Sequence, residues 1–276
     1  VPYRFLLNGQ PADQIPISDR GLQYGDGLFE TLAVIDSRPR FWERHMARLS
    51  RGETVLGMPL SDKSQLRQEA DILCDGCARA VLKLIITRGS GGRGYRPPES
   101  PEPRRILSLH PWPDYPEAWF QEGIQLRLCE IRWSRNQRLA GVKHLNRLEQ
   151  VLARQEWRDP EIAEGVMLDE EARVISVTQG NLFLVENHRV YTPELAHAGI
   201  AGVMRQLVIE TAERLGIPLR IGDISLEQLR HADALFITNA LLGLCPVAGL
   251  QGHTYAVDRI PRTLRQTVID LLRHAG

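Results

Sequence analysis

Residues 111 to 116 read PWPDYP, and this stretch limits the fold more than any other. Three prolines in six residues fit neither a helix interior nor a central strand, because proline lacks the backbone donor and clashes with the preceding turn. The chain is therefore expected to divide there, into 1–110 and 117–276, with 111–116 as linker. Each part is long enough to build a core of its own. In the first, YRFLLNGQPADQIPI reads as a hairpin turning at Asn8-Gly9, and GLFETLAVID as a strand. Helical periodicity follows at about 42–57 and 62–77, then the apolar strand AVLKLIITRG and the strand RRILSLH. The second part reads as a strand over 123–132, a helix beneath GVKHLNRLEQVLAR, strands through EGVMLDEEARVISVTQGNLFLV, the amphipathic helix GVMRQLVIETAERLG, and a helix closing the chain from about 258. Strands and helices mix in both parts, so the fold class is α/β (α+β), with two domains and a cleft between them.

Lysines plus arginines number 34 and aspartates plus glutamates 34, so no net field draws in nucleic acid or an anionic membrane. An anionic small-molecule substrate would have to be selected by local arginines. No apolar run reaches the length of a membrane span, and VPYRFLLNGQ lacks the apolar core of a signal peptide. Four cysteines suit a reducing cytoplasm better than a disulfide scaffold. Cys74 and Cys77 form CDGC, but no second CxxC or spaced histidine pair completes a metal site, so they read as helix-end packing and no metal is expected.

GSGGRG at 89–94 resembles a nucleotide loop, yet it lacks a GK[ST] ending and runs into Pro97-Pro98 instead of a helix. It reads as a surface loop or as one that presents Arg93 and Tyr95 to a ligand. AGIAGVMRQLV places glycine before a helix, leaving the N–H groups of Val203 and Met204 available to phosphate. FITNALLG ends a strand in Thr238 and Asn239, a second cluster of donors. Each is also what an ordinary helix entry or strand end looks like. Lys143 precedes the stripe Leu145, Leu148 and Leu152, whose packing is expected to fix its frame. By itself it reads as a surface cation with a packed stem, but a lysine beside two phosphate-holding turns suggests pyridoxal phosphate, which needs an imine-forming amine and an anion cradle.

SDRGLQYGDGLFET (18–31), HMARL (45–49), GVKHLNRLEQVLARQE (141–156), NLF (181–183), GVMRQ (202–206) and TNALLGLCPV (238–247) run in the order found in the fold type IV pyridoxal-phosphate enzymes, and the chain resembles that family. The group includes branched-chain and D-amino-acid aminotransferases and the 4-amino-4-deoxychorismate lyases. GGRGY and SRNQRLAGVKHLNR resemble the lyase branch. The resemblance implies a homodimer with the cofactor between its domains and Lys143, in the larger C-terminal one, attached to pyridoxal 5'-phosphate. It further implies Arg48 paired with the phosphate, Val203, Met204, Ala240 and Leu241 as backbone donors to it, and Thr31 as a proton relay. Arg93, Arg135 and Arg147, with Tyr95, are the candidates for the substrate carboxylates, since a guanidinium binds carboxylate bidentately. One position departs from the family. Many relatives place a glutamate five residues before the NLF asparagine, to keep the pyridine nitrogen protonated; here that residue is Ser176, which carries no charge. The rivals are an aminotransferase of the same fold, acting on D- or branched-chain amino acids, and a cofactor-free phosphate-binding protein.

Overall fold

The β-branched and aromatic runs before and after the first two helices pair with one another. In the computed structural model, which describes residues 4–274, they form β1 (Arg4–Leu7), β2 (Gln10–Pro11), β3 (Gly27–Ile35), β4 (Arg38–Pro39), β5 (Arg79–Thr87) and β6 (Arg104–His110). These make a six-stranded antiparallel sheet in the order β2-β1-β6-β5-β3-β4. Asn8 and Gly9, both at positive φ, make the hairpin turn. Period-two alternation sends Leu28, Leu32 and Val34 to one face of β3. There they pack with Met46 and Leu49 of α2 (Trp42–Leu56) and Leu66 and Leu73 of α3 (Lys63–Cys74). Cys74 and Cys77 are buried in the same core, which accounts for CDGC by packing.

The second sheet is mixed. Its strands are β7 (Ile124–Leu128), β8 (Ile162–Leu168), β9 (Val174–Val177), β10 (Asn181–Glu186), β11 (Arg189–Pro193), β12 (Leu219–Gly222), β13 (Ala234–Asn239), β14 (Gly243–Leu250) and β15 (His253–Thr254). They run in the order β12-β11-β10-β13-β14-β7-β8-β9, with β15 on β14. The sheet curls, so that Val177 at the end of β9 bridges Gly180 at the entry to β10. Val166, Leu182, Leu184, Leu235, Ile237 and Val247 pack together as its core. Around it lie α4 (Glu117–Gln121), α5 (Leu148–Gln155), α6 (Val203–Arg214), α7 (Leu226–His231) and α8 (Arg262–His274); the short helix α1 (Arg20–Tyr24) belongs to the first unit.

The polypeptide divides into two compact units at Pro113 and Asp114, within the proline-rich stretch. Chain order alone places Lys143 with the C-terminal part, but Val142–Asn146 groups with the first unit. Val142 is buried in that unit's core, the Phe29 N–H donates to the Lys143 carbonyl, and the Leu145 N–H donates to the Gly27 carbonyl. This pairing with β3 holds the segment extended, so the helix starts at Leu148 and not beneath the lysine. The expected stripe is corrected accordingly. Leu145 lies outside the helix, while Leu148 is 75% and Leu152 49% exposed; of α5, only Ala153 is buried.

Candidate active site

In the first unit, Lys143 Nζ lies 4.0 Å from the centroid of the Phe29 ring, a cation held over a π face. Thr31 is two residues along β3, on the same face, opposite Lys83 of β5. Lysine, aromatic ring and hydroxyl are thus gathered on one side of one strand. The other side carries Glu30, 1% exposed. Arg48 Nε donates to its Oε1 at 2.8 Å, Arg48 Nη2 to its Oε2, and His45 Nδ1 donates to Oε2 at 2.7 Å. Burial opposes ionisation of Glu30, but the Arg48 guanidinium outweighs it and carries the carboxyl down to about 2. Burial lowers the His45 pKa against the pull of Glu30, and Lys143 adds repulsion. Arg48 is therefore a tethered cation. The phosphate role expected of it has to be shared with Glu30, which takes two of its donors.

SDRGLQYGDG forms the helix α1 (Arg20–Tyr24) and its caps. Asp19 caps the start and also receives Thr87 Oγ1 and Arg104 Nη1. Gly25 closes the helix in the left-handed region, and a Cβ there would collide with Asn146, whose amide donates to the Gly25 carbonyl. Arg20 donates to Asp26 and, through its two terminal nitrogens, to the carbonyls of Gly94 and Tyr95. The glycine-rich loop is thus held by its main chain. The Arg93 and Tyr95 side chains stay exposed, Tyr95 resting edge-on against Tyr24.

In the second unit, α6 begins at Gly202 without a side-chain cap. The first intrahelical bond runs from Gln206 N to Gly202 O, so the N–H groups of Val203 and Met204 have no acceptor within the helix. A Cβ on Gly202 would strike Asn181 Oδ1, which keeps the approach to this helix end narrow. Asn181 pairs with Thr238 across β10 and β13 and donates to the Ile200 carbonyl. Thr238 Oγ1 is buried with no hydrogen-bond partner among the described residues. Arg205, buried in the first turn, holds the helix to β11 through Thr192 Oγ1 and the Pro193 carbonyl. At the second turn, Asn239 Oδ1 already accepts from Leu241 N and Leu242 N. Leu241 is therefore not an open donor, and the expectation narrows to Ala240 and Thr238.

The model of the amino-transferase class IV family matches residues 27–250, spanning the Lys143 segment, the Gly202 helix end and the Asn239 turn. The chain belongs to this family. An aminodeoxychorismate lyase of Vibrio harveyi is 37% identical over 92% of this chain and 94% of its own. A solved 4-amino-4-deoxychorismate lyase of Pseudomonas aeruginosa is 47% identical, with a TM-score of 0.91 over 98% of both chains. The branched-chain amino acid aminotransferase of Escherichia coli shares the fold, with a TM-score of 0.86 at 22% identity over 97% of this chain and 92% of its own.

The remaining candidates separate clearly on this class IV scaffold. Arg135 is ion-paired with Glu171 and lies 3.7 Å from Asp169, in a surface cluster with Arg173 and Asp223. As a substrate cation it would have to exchange or share these carboxylates. Arg147 lies over the Trp133 ring at 5.4 Å, and burial lowers its pKa to about 10. Ser176, 3% exposed on β9, accepts a 2.9 Å hydrogen bond from Trp133 Nε1. Glu30, His45, Phe29 and Trp133 were not singled out from the sequence. The first three stand inside FET and HMARL, so the motifs pointed to them without giving a role.

Proposed function

We propose that this chain is a pyridoxal-phosphate-dependent lyase that converts 4-amino-4-deoxychorismate to p-aminobenzoate and pyruvate. The observation that carries the reading is the Lys143 amine over Phe29, one strand face shared with Thr31, in a chain 47% identical to the P. aeruginosa lyase. The residues present fit the cofactor. The uncapped helix end at Gly202 and the orphaned hydroxyl of Thr238 suit a phosphate. Val203, Met204, Ala240 and Thr238 would hold it, with Arg48 supplying charge from its tether on Glu30. When bound, the conjugated ring supplies a sink for the electron pair left by proton removal.

The protein's own groups do the rest. The Lys143 amine, released by the substrate amine, takes the proton from the ring carbon that bears nitrogen. Thr31 hands a proton to the enolpyruvyl oxygen as its bond to the neighbouring carbon breaks, and the ring becomes aromatic. No keto-acid acceptor is consumed. Arg93 and Arg147, with Arg135 if it exchanges its carboxylate partners, are the cations for the substrate carboxylates. Ser176 faces the pyridine nitrogen, where a neutral hydroxyl favours the pyridinium less than a glutamate does. That suits an elimination helped by aromatisation better than transamination.

The assembly is a homodimer, a reading supported by the apolar face that Leu148, Val151 and Leu152 leave exposed on α5. The compartment is the cytoplasm, a reading supported by four buried, free cysteines; no helix among the described residues is long and apolar enough to cross a membrane. A coupled assay of pyruvate release from aminodeoxychorismate without added keto acid tests the function. Wild type should turn over and Lys143→Ala should not; a requirement for a keto acid would select the aminotransferase. In the same assays, Ser176→Glu should slow elimination and raise transamination. Unchanged lyase rate with no transaminase activity would remove the role given to Ser176.

A further inference from the structure

Serine beside a ring nitrogen can act with either polarity: it donates its proton to a neutral pyridine, or it accepts one from a pyridinium. In this chain a buried neighbour biases the choice. Trp133 Nε1–H points at Ser176 Oγ at 2.9 Å, and an indole nitrogen is only ever a donor. The bond therefore occupies one of the two lone pairs of the serine oxygen, and donation of its proton leaves no part of the buried hydroxyl unsatisfied. Ser176 makes no other recorded side-chain hydrogen bond among the described residues, so its own proton remains to be given away.

Both partners are rigidly placed. Ser176 pairs with Met167 across β8 and β9, and Trp133 is fastened by its backbone N–H to the Leu168 carbonyl, one residue further along β8. Trp133 packs with Met167, Ile175, Ala153 and Trp157, a cluster that leaves the indole little freedom to turn. Arg147 over the indole ring draws electron density from it and strengthens the N–H as a donor.

We infer that Trp133 is a positioning residue that biases the polarity of the Ser176 hydroxyl, favouring it as a hydrogen-bond donor to the cofactor's ring nitrogen and favouring the unprotonated, pyridine form of that nitrogen. The inference rests on the proposed placement of Ser176 beside that nitrogen. It assigns the electronic tuning of the site to a pair, Trp133 with Ser176, in place of a single charged residue. Loss of either member then acts in a defined direction. Without the indole, both lone pairs are open and the hydroxyl accepts more readily, so protonation of the ring becomes easier. Without the hydroxyl, a donor that opposed protonation is gone, and protonation again becomes easier. A serine that merely accepted from a pyridinium would give the opposite sign on its removal.

The test uses holoenzyme loaded with cofactor carrying ¹⁵N in the ring. Its nitrogen resonance is followed against pH, with free cofactor at high and low pH as standards and loading checked by release of the cofactor in alkali. Wild type should remain pyridine-like through neutral pH. In both Trp133→Phe and Ser176→Ala the apparent protonation midpoint should rise, by about one pH unit for loss of one ordinary hydrogen bond, and Ser176→Glu should read as pyridinium. A pyridinium signal in wild type, or a midpoint that falls in Ser176→Ala, overturns the inference; the alanine variant removes only a hydroxyl and serves if the indole proves necessary for folding. If Ser176→Glu moves the signal but Trp133→Phe and Ser176→Ala do not, the serine stands beside the ring and the polarity argument alone is wrong. If none of the three moves it, Ser176 is not the ring's partner, and the placement fails together with the inference.

Discussion

Glu164 should make this protein less stable as the pH rises through neutrality. It lies on β8, 6% exposed, with Thr178 Oγ1 and the Gly165 N–H as its hydrogen-bond donors. Burial pushes the carboxyl up from an ordinary value of 4.5 to about 7, and those donors pull the other way without prevailing. A folded-state value above the unfolded one means that the folded chain binds the proton more tightly. The associated stability is fully present below about 4.5 and is lost as the pH climbs through 7. Between those two values the linkage amounts to about 3 kcal/mol. Burial, and in smaller part the Glu164 charge, push the Tyr115 phenol and the Cys129 thiol upward, but both titrate above this range. Glu164→Gln keeps the shape and an acceptor for Thr178 while removing the titration. Urea unfolding at intervals from pH 5 to pH 8 should show wild type losing stability relative to the variant, with Glu164→Gln ahead by up to about 3 kcal/mol at pH 8. Two curves running parallel across that range would refute the reasoning, because the carboxyl would then not be neutralised by burial.

On the acid side the sign reverses. Glu30 is depressed to about 2, so its contribution should disappear as the pH falls from 4.5 toward 2; Glu30→Gln should abolish that loss and cost about 3–5 kcal/mol at pH 7 by leaving Arg48 buried beside a neutral amide, measured by urea unfolding. Gly202→Ala should weaken pyridoxal phosphate binding and destabilise the fold by about 1–3 kcal/mol, since the methyl meets Asn181; equilibrium dialysis giving an unchanged Kd would count against the phosphate cradle. Leu148→Glu should shift sedimentation from dimer to monomer if α5 faces a second copy, and leave it unchanged if that face is open to water.

The elements that repeat were readable in the sequence. GLFETLAVI and AVLKLIIT alternate as strands do, and WERHMARLSRGETVL carries its apolar residues at helical spacing, because burial of one face dictates both patterns. The segment around Lys143 was misread for the same reason. Leu145, Leu148 and Leu152 have helical spacing, but main-chain bonds to Gly27 and Phe29, some 115 residues away in the chain, overrule it for the first of them. Exposed Leu148 and Leu152 show that apolar spacing reports a tendency to be covered, without saying by what. The site behaves likewise. Lys143, Arg48 and Ser176 stand in recognisable motifs, whereas Glu30 and Trp133, the groups bonded to Arg48 and Ser176, depend on which strand lies beside which. The carboxylates of Glu171 and Asp169 beside Arg135 could not be read from its motif either.

The grip of Arg20 on the Gly94 and Tyr95 carbonyls has an evolutionary consequence. Carbonyl oxygens are common to every residue, so the loop's path is secured without reference to the side chains it displays. Substitutions at 93 and 95 leave that anchorage in place. If the proposed substrate role of Arg93 and Tyr95 holds, the same frame can drift toward a different carboxylate-bearing substrate through exchanges at these two positions, with no refolding in between.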